Sequence, residues 1–206
     1  ALDDLADGFA LLDLAEAVTL REAGFRHPIL LLEGFFEPGD LAVCIEYGLI
    51  PTIHRIEQLQ MIHDSGLPES LPIYLKLNTG MNRLGFTVDQ LPAVRGELAR
   101  SSAIGPVTLM MHFAEADGQR GIAWQLDCFE RIRDGWPEAA SFPVSMANSA
   151  ALLRHPQTAH DWVRPGIMLY GGSPFADAEA ASFDLKPVMR SEEHTLNSSH
   201  DQISYA

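Results

Sequence analysis

The chain has 206 residues, of which 47% are hydrophobic and 20% charged, and its formal net charge is -14. This length and apolar content predict one soluble globular domain with a sizeable core and argue against a disordered or fibrous chain. The negative charge argues against nucleic acid and anionic membranes as partners, because positively charged protein surfaces bind both of these.

Short apolar runs alternate with amphipathic stretches along most of the chain. The apolar runs predict seven strands, over 8–12, 29–32, 49–53, 72–77, 108–112, 143–147 and 166–170. The amphipathic stretches predict helices over 14–23, 40–47, 55–65, 88–101 and 119–133, with a short helix after Ser149. Most of the strands are apolar on both faces, which is typical of parallel strands covered by crossover helices.

The spacing of these strands is that of successive βα units and predicts a (β/α)8 TIM barrel, with an open doubly wound sheet as the alternative. Seven strands are one fewer than a barrel needs. We therefore expect an incomplete barrel whose first strand and helix lie upstream of residue 1. No shift in composition marks a boundary before Asp184, so residues 1–184 are predicted to form this barrel.

The cysteines and the targeting features of the sequence favour a cytoplasmic protein. Cys44 and Cys128 are far apart and lack the paired spacing of a zinc site or a disulfide framework. No apolar run approaches the roughly 20 residues of a membrane span, and the acidic start of the chain does not resemble a signal peptide. Because residue 1 is not Met, we expect the chain to be part of a longer gene product.

Two segments near the ends of predicted strands carry residues suited to binding an anion. Asn148 and Ser149 follow the apolar run 143–147, and Arg164 and Gly166 flank Pro165 beside the run 166–170. In TIM barrels the loops after the last two strands often hold a phosphate group, so these segments predict a site for a phosphorylated cofactor. The simpler alternative is that Ser149 caps a helix and that Pro165 and Gly166 form a turn.

Several segments resemble, in the same order, the alanine racemase family of fold-type III enzymes that use pyridoxal 5'-phosphate (PLP). They are 28–36, 75–85, 111–114 with Ala116 and Asp117, 147–151, 162–171 with Ser173 and Pro174, and 185–189. The resemblance implies a PLP-binding barrel over 1–184 and a link at 185–189 toward a C-terminal β-domain. Residues 190–206 are polar and lack the periodicity of a strand, so we expect them to be a foreign or disordered tail.

The resemblance also implies which residues bind the cofactor. Ser149 and the backbone of Gly166 and Ile167 would hold its phosphate. Arg164 would face the pyridine nitrogen and keep that nitrogen unprotonated, because a guanidinium does not give up its own proton. Asn148 would belong to the polar network around the ring.

Three further residues have implied roles at the same site. Arg83 would lie beside the phenolic oxygen of the cofactor and the carboxylate of the substrate, His112 would lie near the ring, and Lys76, carbamylated in some members, would position Arg83. The simpler alternatives are a solvated charge, a hydrogen-bonded core histidine and a strand lysine that reaches water. His155 and His160 lack the spacing of ligands on one helix face, so no metal site is expected.

The lysine that forms a Schiff base with the cofactor in this family, and the opposing tyrosine from the partner subunit, have no counterpart in the sequence. The lysines of the chain are Lys76 and Lys186, and both match other family motifs. Racemisation needs a proton acceptor on one face of Cα and a donor on the other. We therefore expect the parent protein to be a homodimer that interconverts L-alanine and D-alanine for peptidoglycan, and this segment alone to be inactive.

Two alternative functions remain open at this point. One is a broader amino-acid racemase or a decarboxylase of the same fold, and the other is a non-catalytic PLP-binding barrel. The combination of 75–85 with 162–171 favours alanine racemase over the decarboxylases. The link at 185–189 argues against the non-catalytic barrel, because a lone barrel needs no link to a second domain.

Overall fold

The computed structural model describes residues 4–67 and 69–188 of the chain. Six parallel strands form one sheet in sequential order: β1 (Phe9–Leu11), β2 (Ile29–Leu31), β3 (Ile50–Ile53), β4 (Leu71–Lys76), β5 (Ile104–Met110) and β6 (Val144–Ser145). The α-helices are α1 (Leu14–Glu22), α2 (Pro38–Glu46), α3 (Ile56–Asp64), α4 (Leu91–Arg100), α5 (Ala123–Asp134) and α6 (Ser149–Arg154). Short 3-10 helices lie at Val88–Gln90, Pro137–Ser141, Pro156–Thr158, Ile167–Tyr170 and Ala180–Phe183.

The order of the strands confirms the barrel architecture. A doubly wound sheet has a point at which the strand order reverses, whereas here every strand pairs with its sequence neighbours. The sheet also curls, as shown by Trp162, which approaches both ends of the sheet. Trp162 N donates to Val144 O beside β6 at 3.1 Å, and a Cβ added to Gly8 beside β1 would lie 3.6 Å from Trp162 Cζ3. The fold is an incomplete (β/α)8 barrel.

Both faces of the sheet are apolar, as predicted. The larger buried cluster lies between the strands and the helices and includes Ile29, Leu75 and Leu109. A smaller cluster on the other face contains Leu30, Tyr74 and Met110, with Leu32, Ile50 and Trp162 packed against it. Because side chains alternate along a strand, Lys76 shares its face of β4 with Tyr74 and therefore lies on the inner side of the curl.

The strand predicted over 108–112 begins four residues earlier than expected, at Ile104, because a bulge accommodates Gly105 and Pro106 within the strand. β4 and β5 pair at Leu71 with Ile104 and next at Ile73 with Val107, so that β5 contributes one extra residue around Pro106. Proline has no N–H for the ladder and is tolerated in a strand at such a bulge. Gly105 and Pro106 also interrupt the apolar run, so the pattern of apolar residues does not indicate the start of this strand.

The prediction of a seventh strand at 166–170 is wrong. Ile167–Tyr170 is a 3-10 helix in which Leu169 N donates to Gly166 O at 2.9 Å. The chain instead pairs with the β6 segment slightly earlier, where Arg164 N donates to Ala147 O at 2.9 Å. Pro165 has no N–H and ends this pairing, so the apolar residues beyond it turn away from the sheet.

The predicted helix 119–133 also starts later than expected, at Ala123, because Gly121 adopts a left-handed conformation at φ +64°. Of the predicted link at 185–189, residues 185–188 are described. They run past Gly171, where an added Cβ would lie 2.1 Å from Lys186 O. Met189 and the predicted tail at 190–206 lie outside the described residues. None of the helices that the structure describes combines the length and hydrophobicity needed to cross a membrane.

The 206-residue chain, expressed alone, is expected to self-associate. In the described part of the chain β1 pairs only with β2, and β6 has a single bridge, to Trp162, beyond its pairing with β5. Unpaired edges offer backbone N–H and C=O groups to another chain. Ile167, Leu169 and Tyr170 add exposed apolar surface. Light scattering should therefore detect oligomers, and a monomer with one cooperative thermal transition would contradict this expectation.

Candidate active site

The polar residues singled out from the sequence lie at the carboxyl end of the sheet. Lys76 ends β4 in register with Met110 of β5, and Met110 is in register with Ser145 of β6. His112 lies just beyond β5, and Asn148 lies just beyond β6. This is the edge at which TIM barrels carry their active sites.

Arg164 is anchored to this edge by neutral groups. Its Nη1 donates to Ser145 Oγ through a short hydrogen bond, and its Nη2 donates to Met111 O at 2.6 Å. Burial lowers the pKa of Arg164 to about 10, so the side chain stays charged at neutral pH. These contacts fix the position of the guanidinium and leave further N–H donors for a third partner, since a guanidinium carries five.

Ser149 and the backbone around Gly166 converge on one point. Gly166 N donates to Ser149 Oγ at 2.9 Å, and Met168 N approaches the same oxygen at 3.4 Å. Ser149 is the first residue of α6 and not its N-cap, so the alternative in which Ser149 only caps this helix is wrong. Asn148 is the cap, and its Oδ1 accepts from Ala151 N at 3.0 Å. The hydroxyl and two backbone N–H groups form a donor set that suits a phosphate.

Space is available beside these donors. A Cβ added to Gly166 would meet no atom within 4 Å. Ile167, the other predicted phosphate contact, is 53% exposed. Gly166 and Ile167 therefore border an open surface at the carboxyl edge of the sheet, beside the buried Ser149.

His112 is held next to Asn148 and stays neutral. Asn148 Nδ2 lies 3.4 Å from His112 Nε2 and donates to Phe113 O at 3.3 Å. Burial, together with the nearby positive charges of Arg164, Arg83 and Lys76, lowers the pKa of His112 to about 4. At neutral pH the imidazole therefore adds no further positive charge to the site.

Arg83 lies on a tightly folded loop after β4. The loop closes where Phe86 N donates to Lys76 O at 2.8 Å and Asn78 N donates to Phe86 O at 2.8 Å. Gly85 has a φ of +118°, and an added Cβ would lie 2.9 Å from Lys76 O, so this turn requires glycine. The Arg83 side chain is exposed, yet its charge contributes to the lowered pKa values of both Lys76 and His112.

The electrostatics of this edge favour an anion. Burial and the charges of Arg83 and Arg164 lower the pKa of Lys76 to about 8, and Glu33 is the carboxylate that opposes this shift. Among the described residues, the charges that act on Lys76 are thus those of two cations, Arg83 and Arg164, and one carboxylate, Glu33, although the chain as a whole carries a charge of -14. A bound anion would relieve this local excess of positive charge. The donor set and the charges fit a phosphate-bearing cofactor.

Sequence reasoning missed two residues that support the site. Ser145 is fully buried and accepts from Arg164, and Gln125 is fully buried between the loops that follow β4 and β5. A serine at the end of an apolar strand is a usable signal in the sequence. Gln125 lies within an amphipathic helix, and nothing in the local pattern distinguishes it. Within the described residues, no group of three or more His, Cys, Asp or Glu side chains is arranged to hold a metal ion.

The neutral state of His112 can be measured directly. We expect its imidazole to titrate with a pKa near 4, because the folded protein buries it among positive charges. NMR of carbon-13-labelled histidine, with the resonance assigned by a His112→Gln variant, gives this value. A midpoint near the ordinary value of 6.5 would show that the ring is solvated and distant from the cations.

Comparison with known proteins supports the architecture. The family model described as "Alanine racemase, N-terminal domain" matches residues 1–174. The chain is 51% identical over 193 residues to alanine racemase of Bordetella petrii, covering 89% of this chain and 50% of that protein. It is 50% identical over 184 residues to alanine racemase of Burkholderia mallei, covering 89% of this chain and 51% of that protein. The chain thus spans about half the length of the curated relatives it matches.

Solved structures give the same result. Biosynthetic alanine racemase from Pseudomonas aeruginosa superposes with a TM-score of 0.77 at 38% identity, over 90% of this chain and 51% of that one. Alanine racemase of Clostridium difficile 630 superposes with a TM-score of 0.80 at 28% identity, over 89% of this chain and 52% of that one. The curled parallel sheet, the order of its motifs and the family match over 1–174 together show that this chain belongs to the alanine racemase family.

Proposed function

We propose that this chain forms the cofactor-binding barrel of an enzyme that interconverts L-alanine and D-alanine. The alanine racemase family is a family of PLP enzymes. The observation that carries the proposal is the pairing of two features at one sheet edge. One is the donor set of Ser149, Gly166 and Met168, and the other is the anchored guanidinium of Arg164.

Ser149 and the backbone of Gly166 and Ile167 would hold the phosphate of PLP. The hydroxyl and the backbone N–H groups supply neutral donors, and the nearby cations supply the charge. Phosphate binding would redirect the N–H groups of Gly166 and Met168 from Ser149 Oγ toward the anion. Before binding, the Ser149 hydroxyl is buried and accepts from these two N–H groups.

Arg164 would hold the ring end of the cofactor. When bound, PLP supplies an electron sink that makes the proton on Cα of an amino acid removable. A guanidinium facing the pyridine nitrogen keeps its own proton and donates a hydrogen bond, so that nitrogen remains unprotonated. This weakens the electron sink and favours return of the proton to Cα over side reactions.

Arg83, His112, Lys76 and Asn148 would arrange the substrate side of the ring. The exposed guanidinium of Arg83 would bind the phenolic oxygen and the substrate carboxylate through several donors. His112, neutral and bound beside Asn148, would contact the ring without adding charge. The lowered pKa of Lys76 favours carbamylation, because the neutral amine is the form that reacts with carbon dioxide. A carbamate on Lys76 would carry the negative charge needed to position Arg83.

The remaining parts of the enzyme belong to the same proposal. Residues 1–184 would be the barrel domain, and 185–189 would lead to a C-terminal β-domain. The active protein would be a homodimer, with a tyrosine of the partner subunit on the other face of Cα. Cys44 and Cys128 are both free thiols, which suits an enzyme of the cytoplasm. D-alanine for peptidoglycan would be the product that the cell uses.

The 206-residue chain by itself is expected to have no racemase activity. Its lysines are Lys76 and Lys186, and Lys76 lies at the end of β4 beside Arg83 rather than in the segment that carries the Schiff-base lysine of the family. With no lysine to exchange a proton at Cα, the chain lacks an acid–base pair across the substrate.

The test is racemisation by the full-length protein that contains this chain. Purified protein supplied with PLP and L-alanine should form D-alanine, detected by circular dichroism or with a D-amino-acid oxidase, until the two enantiomers are equal. The same assay with L-serine and L-lysine addresses the broader racemase, and release of carbon dioxide addresses the decarboxylase. PLP binding without any change in alanine would refute the proposed activity.

A further inference from the structure

The side-chain amide of Gln125 joins the loops that carry Arg83 and His112. Gln125 is the third residue of α5 and is fully buried. Its Nε2 donates to Thr79 Oγ1 at 3.1 Å and to His112 O at 3.0 Å, and its Oε1 accepts from Ala114 N at 2.7 Å. One amide thus uses both donors and its acceptor to bind two loops that are separate in sequence.

These loops determine where the site residues lie. Thr79 belongs to the loop after β4, whose closure beside Lys76 places Arg83 at the sheet edge. On the second loop, the carbonyl that precedes His112 belongs to Met111 and accepts from Arg164 Nη2. A shift of either loop relative to the other would therefore move Arg83 with respect to His112 and Arg164.

A second contact from α5 supports the same loop. A Cβ added to Gly80, next to Thr79, would lie 2.0 Å from Trp124 Cζ3, so the backbone at Gly80 rests directly on the indole. Arg120 stacks on the same indole, with its guanidinium carbon 3.7 Å from the centre of the Trp124 ring. The first turn of α5 is therefore a fixed support for the loop of Arg83.

The equivalent position in α3 provides a natural comparison. Gln58 is also the third residue of its helix and fully buried. It accepts from His54 N at 2.9 Å and donates to Phe35 O at 2.9 Å, so it joins the loops after β2 and β3. Gln58 thus plays the same architectural part as Gln125, on loops that carry none of the residues assigned to the cofactor or substrate.

We propose that Gln125 is a positioning residue of the racemase reaction: its amide sets the placement of Arg83 relative to His112. The inference rests on the proposed function, since the two residues it positions are those assigned to the substrate side of the ring. It predicts that losing this amide affects turnover more than cofactor binding, because Gln125 contacts none of the groups that would hold the phosphate.

The experiment compares Gln125→Met with Gln58→Met in the full-length protein. Methionine keeps the length of the side chain and removes every hydrogen bond of the amide. We expect kcat for alanine to fall on the order of 100-fold in Gln125→Met, as for other small misplacements of reacting groups. The Kd for PLP, measured by quenching of tryptophan fluorescence, should change little. Gln58→Met should lower Tm by a similar amount and keep kcat close to that of the parent.

Amide hydrogen exchange separates this inference from the proposed function. Exchange at residues 79–86 and 111–114 should accelerate in Gln125→Met and not in Gln58→Met, whether or not the parent racemises alanine. If Gln125→Met fails to fold, Gln125→Glu retains the acceptor for Ala114 N and should give an intermediate kcat. Equal losses of kcat in the two methionine variants, or unchanged exchange in both segments, would overturn the proposal.

Discussion

Replacing Arg164 with glutamate is expected to lower alanine racemisation by the full-length protein on the order of 100-fold or more. The carboxylate can no longer donate to Ser145 Oγ or Met111 O, and it places negative charge against that carbonyl. A carboxylate facing the pyridine nitrogen would also let that nitrogen take up a proton and strengthen the electron sink. The fraction of turnovers that end in pyruvate should therefore rise, measured with lactate dehydrogenase.

Two control variants make this result specific. Arg131→Glu makes the same change of charge at an exposed position of α5, so it should leave the rate unchanged. Arg164→Lys keeps the positive charge without the planar donor geometry and should fall between the parent and the glutamate variant. Parental kinetics in a folded Arg164→Glu variant would show that Arg164 does not face the pyridine nitrogen.

Replacing Ser149 with aspartate is expected to raise the Kd for PLP on the order of 100-fold. Hydrogen bonds to charged groups contribute about 1.5–3 kcal/mol each, and the new carboxylate would take those of Gly166 N and Met168 N for itself. It would also repel the phosphate directly. The fold should tolerate the change, because an acidic residue in the first turn of α6 interacts favourably with the helix dipole.

Fluorescence titration with PLP measures this change, and circular dichroism verifies the fold. Ser149→Ala removes the hydroxyl and leaves both backbone N–H groups in place, so its Kd should rise far less than that of Ser149→Asp. Equal affinities for PLP in the aspartate variant and the parent would show that the phosphate binds elsewhere.

Most of the fold could be predicted from the sequence, because each βα unit repeats a short apolar run followed by an amphipathic stretch. Buried parallel strands are short apolar runs, and the first six of them were located to within a few residues. The errors arose where an apolar run cannot form a strand, or where a strand contains residues that interrupt its apolar run. Residues 166–170 are as apolar as a strand, but Pro165 cannot continue a ladder, and the segment forms a 3-10 helix instead. At β5, Gly105 and Pro106 concealed the start of a strand that a bulge accommodates.

The site was predictable for a different reason. Lys76 and His112 lie near the carboxyl ends of predicted strands, and Asn148 and Ser149 follow one directly, so the barrel topology alone brings them to one edge. Their assigned roles came from the family resemblance rather than from the topology. Gln125 was missed because its contacts join segments that are distant in sequence, and a buried glutamine in an amphipathic helix carries no local signal of this.

The most direct test of the account is a crystal structure of the full-length protein with PLP bound. We expect the phosphate to contact Ser149 Oγ and the backbone N–H groups of Gly166, Ile167 and Met168, and the guanidinium of Arg164 to lie within hydrogen-bond distance of the pyridine nitrogen. A phosphate bound away from Ser149, or a ring nitrogen that contacts a carboxylate instead of Arg164, would contradict the account.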